Sequence, residues 1–133
     1  MDKIKLVCVI DDDPLYNFGM KKILEHTSLA EESVFFKNGE EALNGLKEIV
    51  EAGKHFPDLI LLDINMPILN GWGFLENYLE MGLSRDTKIF MVSSSINQEE
   101  VDKAQSTSLV SGYIFKPLTI EKMNKLKENL KET

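Results

Sequence analysis

Two patterns of apolar and polar positions alternate along this chain. Short runs rich in β-forming residues lie at 4–10, 33–37, 59–62, 88–92 and 113–115. The first, third and fourth are nearly continuous apolar segments, the pattern of strands buried on both faces. The second and fifth are shorter and flanked by polar residues, which places them nearer the edges of a sheet. Between the runs lie amphipathic stretches with helix signals. Asp13-Pro14 reads as an N-cap followed by proline at the first helical position, opening a helix to about Glu25. Asn38 precedes a helix in which Ala42, Leu43, Leu46, Ile49 and Val50 repeat at helical spacing, ending near Gly53. Asn70 caps a third, with Phe74, Leu75, Tyr78 and Leu79 inward and Gly82 as its stop. Asn97 with Glu100 has capping-box spacing and opens a fourth, whose core contacts are only Val101 and Ala104. Thr119 caps the last, with Ile120, Met123, Leu126 and Leu130 in one stripe.

Five strand–helix units in succession predict an α/β fold, a mainly parallel sheet covered by helices on both faces. Composition narrows the class. The 133 residues suit one domain spanning 1–133, with no internal repeat or long linker, and the expectation is a single domain without an output domain. The longest apolar run, Leu6 to Ile10, is far short of the roughly 20 residues that span a bilayer. The start lacks the features of a signal peptide, so a cytoplasmic location without membrane attachment is expected. With 15 Lys+Arg against 22 Asp+Glu, the net charge of −7 argues against a general nucleic-acid binder. Cys8 is alone and apolar in setting, which excludes an internal disulfide or cysteine metal cluster.

Ligands of open parallel sheets bind beyond the carboxyl ends of the strands, so the residues after each apolar run carry the candidate chemistry. These are Asp11-Asp12-Asp13 after the first, Asp63 within Leu61-Leu62-Asp63-Ile64-Asn65-Met66-Pro67 after the third, Ser93-Ser94-Ser95 after the fourth, and Lys116-Pro117 after the fifth. Singly, each has a plainer reading: Asp13 is a helix cap, a lone Asp a turn residue, a serine run a loop, Lys-Pro an exposed turn. Together, Asp11, Asp12 and Asp63 crowd negative charge onto one edge. Two such charges about 4 Å apart repel by roughly 4 kcal/mol at an effective dielectric near 20. A cation removes that penalty, and hard oxygen ligands without His or Cys point to Mg²⁺ or a similar ion.

The ordered set resembles the receiver domain of bacterial two-component response regulators over essentially the whole chain: an acidic pair, an Asp, a Ser/Thr and a Lys-Pro after strands one, three, four and five. The resemblance implies a doubly wound, flavodoxin-like (βα)5 sheet of strand order 2-1-3-4-5. It implies Asp63 as phosphoacceptor and a Mg²⁺ (or Mn²⁺) ion held by Asp11, Asp12, Asp63 and the main-chain carbonyl of Asn65. Ser93 then matches the switch hydroxyl, Lys116 the family lysine, Pro117 a cis proline and Tyr113 the aromatic switch position. Ser93 is chosen from the three serines because it directly follows the apolar run. The implied donor is a phosphohistidine on a histidine kinase or phosphotransfer protein, and the output an unidentified protein target bound by a monomer or weak dimer. Such a protein is a signalling phosphoacceptor rather than an enzyme.

Three alternatives compete. A haloacid-dehalogenase-like phosphatase also uses an Asp after a strand, but Pro14-Leu15 is not that family's continuation. A flavodoxin-type binding module should have a Ser/Thr/Gly-rich phosphate loop, where three aspartates would repel a phosphate. A degenerate receiver used only for docking fits poorly with a complete acidic set, Ser93 and Lys116. The 38–57 stretch looks longer than a minimal receiver requires, and His26 and His55 read as surface residues.

Overall fold

The computed structural model describes residues 4–66, 68–84, 86–94 and 97–131, the side chain of Lys131 excepted. Pro67 of the motif after the third strand and Ser95 of the serine run lie outside the described residues. Ten elements alternate: β1 (Ile4–Ile10), α1 (Pro14–Thr27), β2 (Ala30–Phe36), α2 (Gly39–Glu51), β3 (Leu59–Asp63), α3 (Gly71–Glu80), β4 (Lys88–Ser93), α4 (Gln98–Ser106), β5 (Val110–Phe115) and α5 (Ile120–Lys131). The strands form one parallel sheet in the order β2-β1-β3-β4-β5, the flavodoxin-like arrangement expected.

Strand alternation divides the core between the two faces. Cys8, Ile10, Ile60, Leu62, Ile89 and Met91 point toward α2, α3 and α4, joining Leu46, Phe74 and Tyr78. Val7, Val9, Leu59, Leu61 and Val92 point toward α1 and α5, joining Met20, Leu24, Met123 and Leu126. β1 and β3 sit centrally, so their apolar residues are covered from both sides, which is why they read as continuous runs.

Side-chain caps fix where the helices begin. Asp13 accepts the N–H groups of Leu15 and Tyr16 at 3.0 and 3.3 Å, with Pro14 opening α1. Asn38, Asn70 and Asn97 accept those of Glu41, Gly73 and Glu99, and Thr119 Oγ1 that of Lys122 at 3.1 Å. Gly53 and Gly82, just beyond α2 and α3, take the positive φ that a helix stop asks of its following residue.

Several boundaries and orientations differ from the sequence expectation. β2 begins at Ala30 rather than 33 and β5 at Val110 rather than 113. Both are edge strands, and their early residues (Glu31, Glu32 and Ser33; Ser111) are exposed, so they carry no apolar signal. α1 runs two residues past Glu25, to Thr27. Leu79, Val50 and Ile120, expected in apolar stripes, are 49%, 54% and 41% exposed. Each lies at the margin of a helical face whose centre is already filled. α4 is as thinly anchored as its sequence suggests: Ala104 is buried and Val101 half-buried. No helix among the described residues is long and apolar enough to cross a membrane.

Candidate functional site

The ends of β1, β3 and β4 and the turn after β5 meet at the carboxyl edge of the sheet. Asp11 continues β1 by one residue, its N–H donating to Phe36 O at 3.1 Å, and this draws its carboxylate beneath the loop. Asp11 is 1% exposed, and its carboxylate accepts the Asp13 N–H at 3.0 Å. Asn17 Nδ2 donates to the Asp11 carbonyl at 2.9 Å, tying the first turns of α1 to the strand. Asp12, next along the loop, is exposed.

Asp63 ends β3 and is 5% exposed. Its position depends on Gly71: a Cβ there would sit 2.9 Å from the Asp63 carbonyl oxygen and 3.0 Å from Ile64 Cα. Glycine therefore lets the start of α3 close against the strand end, where the Gly71 N–H donates to Ile64 O at 2.9 Å. Ser93 ends β4 and is fully buried, and Asn65 Nδ2 lies 3.4 Å from its Oγ. The Lys116 N–H donates to Ser93 O at 2.9 Å, which brings the Lys116-Pro117 turn over the site, and that peptide is cis.

From this turn the Lys116 side chain reaches back across the edge. Its Nζ donates to Asp11 Oδ2 at 2.8 Å and stands 3.7 Å from Asp63 Oδ1. One ammonium thus serves two buried carboxylates. Burial raises the Asp63 carboxyl to about 6, and repulsion from Asp11 and, less, Asp12 adds to it; Lys116 and the Asn65 N–H pull the other way. Burial by itself pulls the Lys116 ammonium down, but the hydrogen bond and attraction of Asp11, with help from Asp63, hold it above its ordinary value. Asp11, Asp12 and Asp63 each offer a carboxylate oxygen, and the three lie within 4.8 Å of one another. Three hard oxygens and a carboxyl raised by burial and then by neighbouring charge are the donor set and the unmet charge that suit a divalent cation.

The expected residues divide into two groups. Asp11, Asp12, Asp63, Asn65, Ser93 and Lys116 come together at the edge. Tyr113 lies half-buried on β5, its ring 5.1 Å from that of Phe115 and packed against the α2–α3–α4 side of the core. His26 and His55 are exposed, and His55 pairs with Asp58 at the opposite end of β3. The 38–57 stretch is α2 followed by a short connection. Two neighbours of the site went unnoticed in the sequence: Asn17, and Tyr16, whose ring lies 4.3 Å from Lys116 Nζ. The one signal for Tyr16 is an aromatic about a helical turn past the acidic pair.

Comparison with known proteins gives a consistent result. The family described as response regulator receiver domain matches residues 7–128. The nitrate/nitrite response regulator protein NarL of Escherichia coli K12 is 34% identical over 90% of this chain and 51% of its own length. Two-component response regulator 24 of Arabidopsis thaliana is 32% identical over 90% of this chain and 79% of its own. A two component response regulator from Cytophaga hutchinsonii has a solved structure that superposes with a TM-score of 0.86 at 32% identity, covering 98% and 99% of the two chains. The chain spans about half the length of NarL and of the transcriptional regulatory protein DegU of Brevibacillus brevis, 51% and 45% respectively.

Proposed function

Because the chain belongs to the response regulator receiver family, we propose that it accepts a phosphoryl group on Asp63 and signals through a change at a protein-binding face. The family is one of signalling domains, which sets aside the phosphatase and flavodoxin-type alternatives. The observation that carries the proposal is the shared ammonium: Lys116 Nζ stands 2.8 Å from Asp11 and 3.7 Å from Asp63 at an edge where three carboxylates converge.

The chemistry follows from the groups present. An Asp63 carboxylate oxygen attacks phosphorus, the P–N bond of a phosphohistidine donor breaks, and an aspartyl phosphate forms. Such a transfer needs alignment and neutralisation of the equatorial oxygens more than covalent help. Lys116 moves its donated hydrogen bond from Asp11 toward a phosphoryl oxygen, and the Ser93 hydroxyl donates to another. Asp11, Asp12, Asp63 and the Asn65 carbonyl would hold Mg²⁺, which supplies charge neutralisation on the remaining side. Asp13 stays a helix cap, consistent with its two N–H bonds.

The donor is a histidine kinase or a phosphotransfer protein, and the chain works as one receiver unit in the cytoplasm. Its output is contact with a protein through α4, β5 and α5. Ser93 drawn toward the phosphoryl group frees space into which Tyr113 turns, and the thin anchoring of α4 suits it to shift. Trp72, the single tryptophan, holds Lys103 Nζ of α4 at 4.5 Å over its ring, so its emission reports on that helix.

Incubation with Mg²⁺ and acetyl phosphate or beryllofluoride tests the reading. A labile adduct forms on the wild type and is absent from Asp63→Asn; an adduct that survives Asp63→Asn overturns it. Ser93→Ala keeps the adduct but loses the Trp72 emission change that accompanies it. An undiminished emission change in that variant refutes the switch.

A further inference from the structure

We infer that Tyr16 is a positioning residue for phosphoryl transfer, its ring face confining the Lys116 ammonium between Asp11 and Asp63. This rests on the reading of Asp63 as phosphoacceptor. The geometry stands apart from that reading. Tyr16 lies in the first turn of α1, where Asp13 caps the helix by accepting the Tyr16 N–H at 3.3 Å. Asn17, the next residue, anchors that turn to the Asp11 carbonyl. The ring is therefore held by the same short segment that carries the acidic pair, and its body packs against the α1–α5 side of the core. Its face meets Lys116 Nζ at 4.3 Å, while the ammonium spends its hydrogen bond on Asp11 at 2.8 Å.

Lys116 faces two tasks that differ in direction. With Asp63 free, it pairs with Asp11; during transfer, it must donate to an oxygen on the phosphoryl group at Asp63. A flexible four-carbon stem between two acids has no side-chain restraint of its own on where the charge rests. An aromatic face attracts a cation without fixing the direction of its N–H bonds, because the attraction acts through the ring quadrupole. Tyr16 thus keeps the ammonium over the site and leaves its protons free to change acceptor. The tyrosine hydroxyl is not needed for this. Burial, with Asp11 and Asp63 close by, raises the phenol above its ordinary value and keeps the ring uncharged, which preserves its attraction for a cation.

The consequence concerns the rate of transfer more than substrate binding. Removing the ring face leaves the acceptor carboxylate and acid pair intact but disperses the charge that must meet the phosphoryl oxygen. The loss expected is roughly three- to thirtyfold in the maximal rate of phosphorylation.

Two measurements test this on the full chain. The first uses no donor: in proton NMR spectra, the Lys116 Cε protons are shifted upfield by the ring, remain so in Tyr16→Phe and return toward random-coil positions in Tyr16→Leu. Unshifted Lys116 protons in the wild type overturn the inference whatever the protein does with phosphate. The second follows phosphorylation by acetyl phosphate with Mg²⁺. Tyr16→Leu lowers the maximal rate while the half-saturating acetyl phosphate concentration stays within twofold, and Tyr16→Phe restores the rate to within twofold of wild type. In a Lys116→Ala background, Tyr16→Leu has no further effect, an outcome that a merely structural role does not produce. Independent effects of the two substitutions, or a Tyr16→Phe defect as large as that of Tyr16→Leu, overturn the inference and leave the phosphoacceptor reading standing. Absence of any adduct on the wild type defeats the phosphoacceptor reading and this inference with it.

Discussion

Asp58 and Asp63 stand at the two ends of β3, the first just before it and the second as its last residue, in opposite surroundings. Asp58 Oδ2 accepts the N–H groups of Lys5 and Leu6 at 3.0 and 3.3 Å, and His55 Nε2 donates to the carboxylate at 3.1 Å. Its own N–H and C=O bond to Leu6 O and from Lys88 N, at 2.9 and 3.0 Å. One residue thus ties β1, β3 and β4 together at the amino edge. Asp63 has an ammonium at 3.7 Å that bonds more closely to another acid, two carboxylates nearby, and a carboxyl raised to about 6. A carboxylate with donors on every side holds a sheet together; one buried among like charges is held ready for an electrophile or a cation. The strand supplies both from a single stretch of chain, and only position relative to the sheet's polarity tells them apart.

The largest effect that could break this contrast is on phosphorylation itself. Asp63→Asn abolishes the acetyl phosphate adduct, whereas Asp58→Asn leaves its rate within about twofold, because the Asn Oδ1 can still accept the Lys5 and Leu6 N–H groups that now share Asp58 Oδ2. A comparable loss in both variants would mean that the two ends of β3 are not functionally separate.

Stability should move in opposite directions. Asp58→Ala strands the Lys5 and Leu6 N–H groups and costs about 1–2 kcal/mol in urea denaturation. Asp63→Asn, without divalent cation at pH 7.5, removes a crowded charge and stabilises by about 1–3 kcal/mol. Added Mg²⁺ narrows that gap by raising the wild type alone. Destabilisation by Asp63→Asn in metal-free buffer would show that the carboxylate is better satisfied than its neighbours imply.

A smaller effect lies in the pH profile. A carboxyl whose folded value is raised favours the fold below its unfolded value, near 4, and loses that contribution as pH climbs through the folded value of about 6. The stability advantage of Asp63→Asn over the metal-free wild type should therefore open between about pH 4 and 6 and stay level above. A gap that instead narrows with rising pH through that window would reverse the sign argued for Asp63.

How much of this could be read from the chain alone varies with the same geometry. β1, β3 and β4 are legible because central strands must be apolar on both faces, and the Asp11-Asp12 pair, Asp63 and Ser93 are legible because they follow such runs; Lys116 is legible because it follows the short apolar end of the edge strand β5. The starts of β2 and β5 are not, since an edge strand can expose Glu31, Glu32, Ser33 and Ser111 without cost to its pairing. Tyr16 is hidden for a different reason. An aromatic in the first turn of a helix reads as core filling, and its place beneath Lys116 arises only when a side chain 100 residues later folds back over it. The Asp58 cluster is hidden likewise, because its partners at Lys5 and Leu6 are main-chain groups that no residue type announces.

The central claim is that Asp63, and no other acid at this edge, carries the phosphoryl group. Borohydride reduction of the protein after brief exposure to acetyl phosphate and Mg²⁺ converts an acyl phosphate to homoserine, which peptide mass spectrometry locates. Homoserine at position 63 alone is the expected result. Homoserine at 11 or 12, or none in a sample that carries the labile adduct, would contradict the account.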